Sequence, residues 1–145
     1  VNETTVTIEL IKSEDYFEYS IDGVNYQSSN IFTNAPSGLQ TANVREINQC
    51  SFDSEPFIVI IVPKYFTPNN DGFNDVWEIK GLLNYPLAEV TLFDRYGKLI
   101  TKLNNRNRSW DGTFNKSPLP ATDYWYVLKL DSNSPEAKGH FSLKR

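Results

Sequence analysis

The sequence has very few of the residues that most often build catalytic and metal sites. Its 145 residues contain 1 Cys, 1 His and no Met. A single cysteine cannot close an internal disulfide, so no intrachain disulfide framework is possible. No zinc-ligand spacing, nucleophile–base pair or phosphate-binding loop is present. The lack of Met, even at position 1, predicts that the chain starts within a longer precursor or is a processed product.

The sequence also lacks long apolar runs and any excess of basic charge. No run approaches the roughly 18 apolar residues of a membrane-spanning helix, and no secretory signal pattern opens at Val1. The net charge is −4 and the sequence pI is near 5.0. Nucleic acid is therefore a poor candidate partner, because binding to phosphates needs a basic surface.

The lone Cys50 and the lone His140 each have a functional and a structural interpretation. Cys50 is either a reactive thiol, or a small apolar residue at a strand end, or half of a disulfide whose partner lies outside this sequence. The structural alternatives are favoured, since no histidine is near it in sequence. His140 falls on an outward position of the last predicted strand, which favours a solvated side chain over a proton shuttle.

What the sequence does have is aromatic residues, 14% of the total, in short runs that alternate with polar residues. The first half predicts about five or six strands separated by turns, at 5–11, 16–21, 24–32, 39–47 and 56–62. Asp22-Gly23 is a hairpin signal. The last run is continuously apolar, which is typical of a strand covered on both faces.

The second half predicts a further set of strands, at 76–79, 88–93, 98–103, 124–130 and 139–143. The run at 124–130 is the strongest, and its alternation places Trp125 opposite Tyr124 and Tyr126. No stretch shows a sustained helical period. The fold class is therefore predicted as all-β, with two tandem Ig-like β-sandwich units at 1–62 and 63–145.

The first half resembles the short Ig-like repeats of Bacteroidota surface adhesins. The residues that carry this resemblance form three groups, at 19–23 (YSIDG), at 26–29 (YQSS), and at 44–46 (VRE) with Asn48 and Cys50. It implies an adhesin-type repeat, complete or truncated, ahead of the second unit.

The second half carries five sequence blocks in order: KYFTPNNDGFNDVWEI, YPLAEVTLFDRYGKLI, WDGTFN, PLPATDYWYVLKL and GHFSLKR. Together they resemble the gliding motility-associated C-terminal domain, which is the type B sorting domain of the Bacteroidota type IX secretion system. The resemblance runs from about Pro63 to Arg145. Asn70 stands where the family usually has Gly, and residues 121–123 (ATD) where many members have a Gly-Thr turn.

This resemblance implies a non-catalytic sorting signal on a large, gliding adhesin-like protein. Such a protein is exported through the periplasm and outer membrane to the cell surface or the medium, and translocon or shuttle proteins read the signal. A glycan is a further possible partner of the parent protein. The candidate recognition residues are Phe66, Pro68, Asn69, Asp71, Gly72, Asp75, Asp94, Arg95, Gly97, Lys144 and Arg145.

No cofactor is expected, except for a possible calcium ion in the FTPNNDGFND segment at 66–75. Residues 67–78 match a calcium-loop template with Asn69, Asp71, Phe73 (through its carbonyl) and Asp75 as candidate ligands. The template fits only in part, because Thr67 replaces the first Asp and Glu78 lies in a strand pattern. A turn held by side-chain-to-backbone hydrogen bonds is the favoured alternative.

Two rival functions are open at this point. An adhesive or carbohydrate-binding module could stack sugars on the aromatic residues at 124–126, although core packing is favoured there. A polysaccharide hydrolase fragment could use Glu89, Asp94 and Asp111, but two of these lie in turn motifs. Basic residues around the middle hairpin, namely Arg95, Lys98, Lys102, Arg106 and Arg108, form either a docking patch or a solvated face.

Overall fold

The computed structural model describes residues 4–10, 16–48 and 51–145. The chain divides into two compact units, Val1–Ile61 and Val62–Arg145, which are called here the N-terminal and C-terminal units. The boundary predicted from the sequence, after residue 62, lies one residue from this division. Cys50 lies outside the described residues, so both interpretations of its thiol remain predictions.

The N-terminal unit has five strands over its described residues: β1 (Val6–Thr7), β2 (Phe17–Ser20), β3 (Ile31–Phe32), β4 (Gly38–Glu46) and β5 (Phe52–Val59). An antiparallel sheet has the order β2-β4-β5, and a two-stranded sheet pairs β1 with β3. The buried apolar residues include Ile8, Val44 and Val59.

Three strand predictions for the N-terminal unit are wrong. Over its described residues, the predicted strand at 5–11 is reduced to β1. The predicted strand at 24–32 is reduced to β3, because the Asp22 carboxylate accepts the backbone N–H groups of Val24 and Asn25, both at 2.8 Å, and holds a turn. The last strand runs from residue 52 to 59 rather than from 56 to 62. It lies at a sheet edge and its first half is exposed, so it is not covered on both faces.

The C-terminal unit contains nine strands and one short 3₁₀ helix: β6 (Tyr65–Phe66), β7 (Trp77–Glu78), η1 (Leu82–Asn84), β8 (Glu89–Phe93), β9 (Leu99–Asn104), β10 (Ser109–Trp110), β11 (Thr113–Phe114), β12 (Ser117–Pro118), β13 (Asp123–Lys129) and β14 (Ala137–Leu143). The main sheet has the order β6-β14-β13-β8-β9, and the pairs β7–β10 and β11–β12 form two further small sheets. Only β6 and β14 pair in parallel.

The core of the C-terminal unit is aromatic. Trp77 stacks on Phe141 with ring centroids 4.0 Å apart, and its indole N–H donates to the carbonyl oxygen of Pro63 at 2.9 Å. The Trp110 indole N–H donates in the same way to the Thr113 carbonyl oxygen at 2.8 Å. Each large ring is thus buried without leaving its polar atom unpaired. Trp77 and Trp110 therefore both pack in the core of this unit.

The all-β fold class is confirmed, since the described residues form several sheets consistent with β-sandwich units and no α-helix. Phe141 and Leu143 face inward on β14 while His140 faces outward, as the alternation predicted. Within the part of the chain that the structure describes, no helix has the length and apolar character needed to cross a membrane.

Candidate recognition surface

The two ends of the C-terminal unit lie side by side. Strand β14 places Leu143 opposite Phe66, and the Lys144 N–H donates to the Phe66 carbonyl oxygen at 3.0 Å. The Ser142 N–H donates to the Lys64 carbonyl oxygen at 2.9 Å. The FTPNNDGFND loop and the Lys144-Arg145 end were predicted separately as recognition elements, and this parallel pairing brings them together.

The FTPNNDGFND loop is held by its own carboxylates. Asp75 accepts the backbone N–H groups of Asn70 at 2.6 Å and Gly72 at 2.8 Å. Asp71 accepts the backbone N–H of Phe73 at 2.8 Å and the side-chain amide of Asn69 at 2.9 Å. The dense group of Asn and Asp residues therefore satisfies the backbone of a tight turn, which is the alternative that the sequence favoured.

Three positions in this loop have left-handed backbone. Asn70 has φ = 63°, Gly72 has φ = 89° and Asn74 has φ = 53°. Asn is one of the few residues with a side chain that occupies this region readily, so Asn70 takes a conformation that Gly would also adopt. The departure from the family pattern at this position is thus compatible with the loop geometry seen here.

Phe66 does not belong to the exposed part of the loop. Its side chain is fully buried and packs against Trp110, with ring centroids 5.5 Å apart. The proposal that Phe66 forms part of a recognition surface is therefore corrected, because a partner cannot reach the ring in the folded unit. Phe73 is 76% exposed and presents the largest apolar surface of the loop.

The candidate calcium ligands lie in this loop, but the groups are already engaged within it. The Thr67 hydroxyl lies 3.4 Å from the Phe73 carbonyl oxygen and donates to it. Glu78, the last position of the template, lies on β7 with its carboxylate 3.8 Å from the Arg108 guanidinium. No group of three or more His, Cys, Asp or Glu side chains suited to a metal occurs among the described residues. The calcium site stays a prediction.

The DRYG turn at 94–97 joins β8 to β9. The Asp94 carboxylate accepts the backbone N–H groups of Tyr96 and Lys98, both at 2.9 Å, and Gly97 has φ = 79°. These features explain two residues of the motif. Asp94 supplies the hydrogen-bond acceptor of the turn, and Gly97 takes the left-handed backbone conformation that the turn requires. Arg95 is left exposed at the tip.

The Lys144-Arg145 end reaches exposed aromatic and turn residues. The Lys144 ammonium lies 4.7 Å from the centroid of the Tyr65 ring. Burial raises the pKa of the Tyr124 hydroxyl; the positive charge of Arg145 opposes that rise and the Asp94 carboxylate adds to it. Arg145 and Asp94 thus both act electrostatically on Tyr124, whose hydroxyl donates to the Pro120 carbonyl oxygen at 2.9 Å.

The comparison with protein families decides the identity of this unit. Residues 60–143, more than half of the chain, match the family described as CHU_C Type IX secretion signal domain. The chain belongs to the type IX secretion signal domain family. Membership implies export to the cell surface or to the medium, and recognition by the secretion machinery. The resemblance inferred from the five sequence blocks is confirmed.

No curated protein matches the chain. A solved structure described as "Biofilm associated protein - BSP domain" is similar at 12% identity with a TM-score of 0.38, and the alignment covers 98% of this chain and 27% of that one. The chain therefore spans about a quarter of the length of that structure.

The carboxylates considered for a hydrolase all have structural partners in this secretion signal domain. Asp94 holds the DRYG turn, and Asp111 accepts the Thr113 hydroxyl at 2.7 Å and its backbone N–H at 3.0 Å. Glu89 pairs with Lys102 at 2.9 Å. The family is a secretion-signal family rather than a catalytic one.

The aromatic residues at 124–126 do not form one platform. Tyr124 is buried, while Trp125 on the opposite face is 40% exposed and lies beside His140, with ring centroids 6.2 Å apart. Core packing is confirmed for Tyr124. Any sugar-stacking surface would have to rest on Trp125.

The charge of the chain is divided unevenly between the two units. Residues 1–61 contain 2 Lys and Arg against 9 Asp and Glu, a net charge of −7. Residues 62–145 contain 12 against 9, a net charge of +3. The overall value of −4 therefore conceals a basic secretion signal domain, which the composition of the whole chain did not reveal.

The basic cluster around the middle hairpin is only partly available. Lys102 pairs with Glu89, and Arg108 lies 3.8 Å from Glu78. Arg95 and Lys98 lie against aromatic rings instead. The sequence pattern gave no signal for Tyr96 or Phe114 as the ring partners of these two cations.

Proposed function

We propose that the C-terminal unit is a folded sorting signal that directs the protein attached to it through the type IX secretion system by protein–protein recognition. The match to the secretion signal family over residues 60–143 carries this proposal. The signal works by binding and not by chemistry, in keeping with carboxylates that are engaged in turns and ion pairs.

The proposed recognition surface consists of three exposed elements: the loop at 67–75, the DRYG turn and the Lys144-Arg145 end. Three of the predicted recognition residues, Asn69, Asp71 and Arg95, are exposed in turns, which supports this surface. These turns are fixed by internal hydrogen bonds, so a partner would meet a preorganised surface. Translocon or shuttle proteins of the outer membrane are the proposed partners.

The proposed parent is a large adhesin-like surface protein of a gliding bacterium of the Bacteroidota. The strand pattern of the N-terminal unit supports this, since its short antiparallel strands suit an Ig-like repeat of such a protein. In this proposal the N-terminal unit is the last repeat before the signal.

A reporter fusion tests the proposal. A fluorescent reporter with its own inner-membrane export signal is joined to the start of the 145-residue chain. We expect the fusion to reach the surface or the medium in a strain with a working type IX system, and to stay in the periplasm when the translocon is deleted. The reporter without the chain is the control. Periplasmic retention in the working strain would reject the sorting function.

An adhesive or carbohydrate-binding module is the second candidate function. The half-exposed Trp125 beside His140 favours it, because an exposed indole can stack on a sugar ring. A glycan array probed with the 145-residue chain, and with a Trp125→Ala variant, distinguishes the two. Binding that depends on Trp125 would support this candidate, and an array without binding would reject it.

A further inference from the structure

A cleft lies between the DRYG turn and the loop that precedes β13. Its volume is about 290 Å³, and its lining includes Ile100, Phe114, Leu119, Ala121 and Tyr124. Every residue that lines this cleft belongs to the C-terminal unit. We call it the turn cleft.

The floor of the turn cleft is apolar. Ile100 and Tyr124 are buried in the core beneath it, and Phe114 and Leu119 are half-buried. The Tyr124 hydroxyl, a polar group among these residues, donates to the Pro120 carbonyl oxygen at 2.9 Å. A ligand therefore meets carbon surface with a satisfied hydroxyl, which favours an apolar side chain at this depth.

The rim of the turn cleft is basic. The Lys98 ammonium lies 4.5 Å from the centroid of the Phe114 ring, and the Arg95 guanidinium donates to the Tyr96 hydroxyl at 2.9 Å. Among the described residues, neither cation has a carboxylate within ion-pair distance. The Asp94 carboxylate also lines the cleft, where it accepts two backbone N–H groups of its own turn and forms no ion pair with either cation, so the rim keeps a net positive charge.

Two cations of the same hairpin region are paired, since Lys102 and Arg108 face Glu89 and Glu78 at 2.9 and 3.8 Å. Of the three cluster cations without an ion pair in the described chain, Arg95 and Lys98 line the turn cleft and Arg106 lies outside it. The net charge of the unit is +3. A partner with the complementary charge would be attracted to this edge of the unit.

We propose that the turn cleft binds a segment of a partner protein that carries a carboxylate next to an apolar side chain. The apolar side chain fills the floor and the carboxylate meets Arg95 and Lys98. A volume of about 290 Å³ holds one or two side chains and not a folded element. This inference rests on the proposed sorting function, and it names the chemistry by which a protein of the secretion machinery is recognised.

An acidic peptide is favoured over an anionic lipid surface as the occupant. A flat layer of headgroups would use the cations alone and leave the enclosed apolar floor empty. A peptide side chain uses both features, and its carboxylate can approach cations that already lie over aromatic rings.

The binding test uses the 145-residue chain and a blocked nine-residue peptide in which aspartate alternates with leucine and phenylalanine. The control peptide has asparagine in place of aspartate. We expect saturable binding of the acidic peptide at low salt, with NMR shifts at the amides of Arg95, Lys98, Phe114 and Ala121. The double variant Arg95→Gln/Lys98→Gln should bind about fivefold more weakly or worse.

A matched double variant, Lys80→Gln/Lys129→Gln, removes the same charge from exposed positions outside the cleft and should bind like the wild type. Thermal melts followed by Trp fluorescence verify that both variants are folded. Equal binding of the two peptides, equal loss in both variants, or shifts confined to other residues would overturn the proposal. Retention on vesicles of phosphatidylglycerol without peptide binding would overturn it in favour of a lipid surface.

The reporter fusion separates this inference from the sorting function. We expect the Arg95→Gln/Lys98→Gln fusion to be exported less than the wild-type and Lys80→Gln/Lys129→Gln fusions. Normal export of all three would reject the turn cleft as a recognition site and leave the sorting function intact. Periplasmic retention of all three, including the wild type, would reject the sorting function itself.

Discussion

The backbone N–H of Lys144 donates to the carbonyl oxygen of Phe66 at 3.0 Å, and this bond continues the parallel pairing of β14 with β6. Strand β6 is the first strand of the secretion signal domain and β14 is the last. The domain is therefore closed by two residues that are 78 positions apart in sequence. In the proposed recognition, a partner protein would therefore meet this end only as part of a folded unit.

The first prediction concerns the buried residue that makes this closure. Leu143 is 2% exposed, so we expect Leu143→Ala to lower the free energy of unfolding by about 2–5 kcal/mol through lost burial and a residual cavity. Urea unfolding measures this by Trp fluorescence, because all 3 Trp residues lie in the C-terminal unit. The control Lys144→Ala removes an exposed side chain and should cost about 1 kcal/mol or less. Equal losses of unfolding free energy in the two variants would contradict the assignment of Leu143 to the buried core.

The second prediction compares two glycines with similar backbone angles. Gly112 has φ = 82°, and a Cβ there would lie 2.8 Å from a Leu143 methyl carbon. Gly97 has φ = 79° with no atom within 4 Å of its Cβ position. We expect Gly97→Ala to cost about 1 kcal/mol of backbone strain, and Gly112→Ala to cost about 1–3 kcal/mol more through the clash. Urea unfolding of both variants checks the difference, and similar values would contradict the packing argument.

Local patterns in the sequence predicted the long strands well. The alternation at 124–130 placed Tyr124 and Trp125 on opposite faces, and the structure buries Tyr124 and leaves Trp125 40% exposed. The DRYG and WDG motifs were identified as turns for the same reason, since the Asp and Gly chemistry of a turn is contained within four residues. These features depend on near neighbours in sequence, so one sequence suffices to find them.

The features that sequence reasoning missed depend on distant partners. Strand β6 is two residues long and exists only because β14 lies beside it. The register of β5 follows β4, which pairs Arg45 with Phe52 and Gly38 with Val59, so the apolar run alone misplaced its ends. Phe66 was assigned to a surface because its loop is polar, although its ring belongs to the core.

The candidate site was likewise predicted only in its separate parts. The loop, the DRYG turn and the chain end were each identified from composition and family resemblance. Some cations of the basic cluster are neutralised by ion pairs with residues distant in sequence, such as Lys102 with Glu89, and the sequence does not show which ones. The cleft at Phe114 and Leu119 depends on the packing of two loops against one hairpin. Neither feature leaves a periodic signal in the sequence.

The third prediction concerns the carboxylate that holds the FTPNNDGFND loop. Asp75 accepts two backbone N–H groups, from Asn70 and Gly72. We expect Asp75→Ala to lower the free energy of unfolding of the C-terminal unit by about 1–2 kcal/mol, because this exposed turn loses two charge-assisted bonds. Urea unfolding with Trp fluorescence measures it. Asn69→Ala is the control and should cost less, since that side chain makes no such pair of backbone contacts.

The same loop allows a direct test of the predicted calcium site. A bound ion would stabilise the folded unit by mass action, so the melting temperature would rise with millimolar calcium and the rise would be absent in Asp75→Ala. Magnesium at the same concentration controls for ionic strength. A melting temperature that does not respond to calcium would reject the metal site.

The final prediction concerns acid stability of the N-terminal unit. The Asn25 side chain, together with the backbone N–H groups of Asn25 and Val24 and the Ser20 hydroxyl, donates to the Asp22 carboxylate and holds its pKa well below the usual value. A carboxyl whose folded pKa is depressed stabilises the fold above its unfolded pKa of about 3.9, and this contribution is lost as the pH falls below that value. We therefore expect the unit to lose stability as the pH falls below about 4, and Asp22→Asn to reduce this dependence.

Urea unfolding at pH 6 and pH 3, about two units above and one unit below the unfolded pKa, checks this prediction. It is followed by far-UV circular dichroism and by the NMR amide signals of Val24 and Asn25, because the N-terminal unit has no Trp. Glu55→Gln removes an exposed carboxylate from β5 of the same unit and serves as the control. If Asp22→Asn and the wild type lost the same stability between the two pH values, the hydrogen bonds to Asp22 would not be the source of the acid sensitivity.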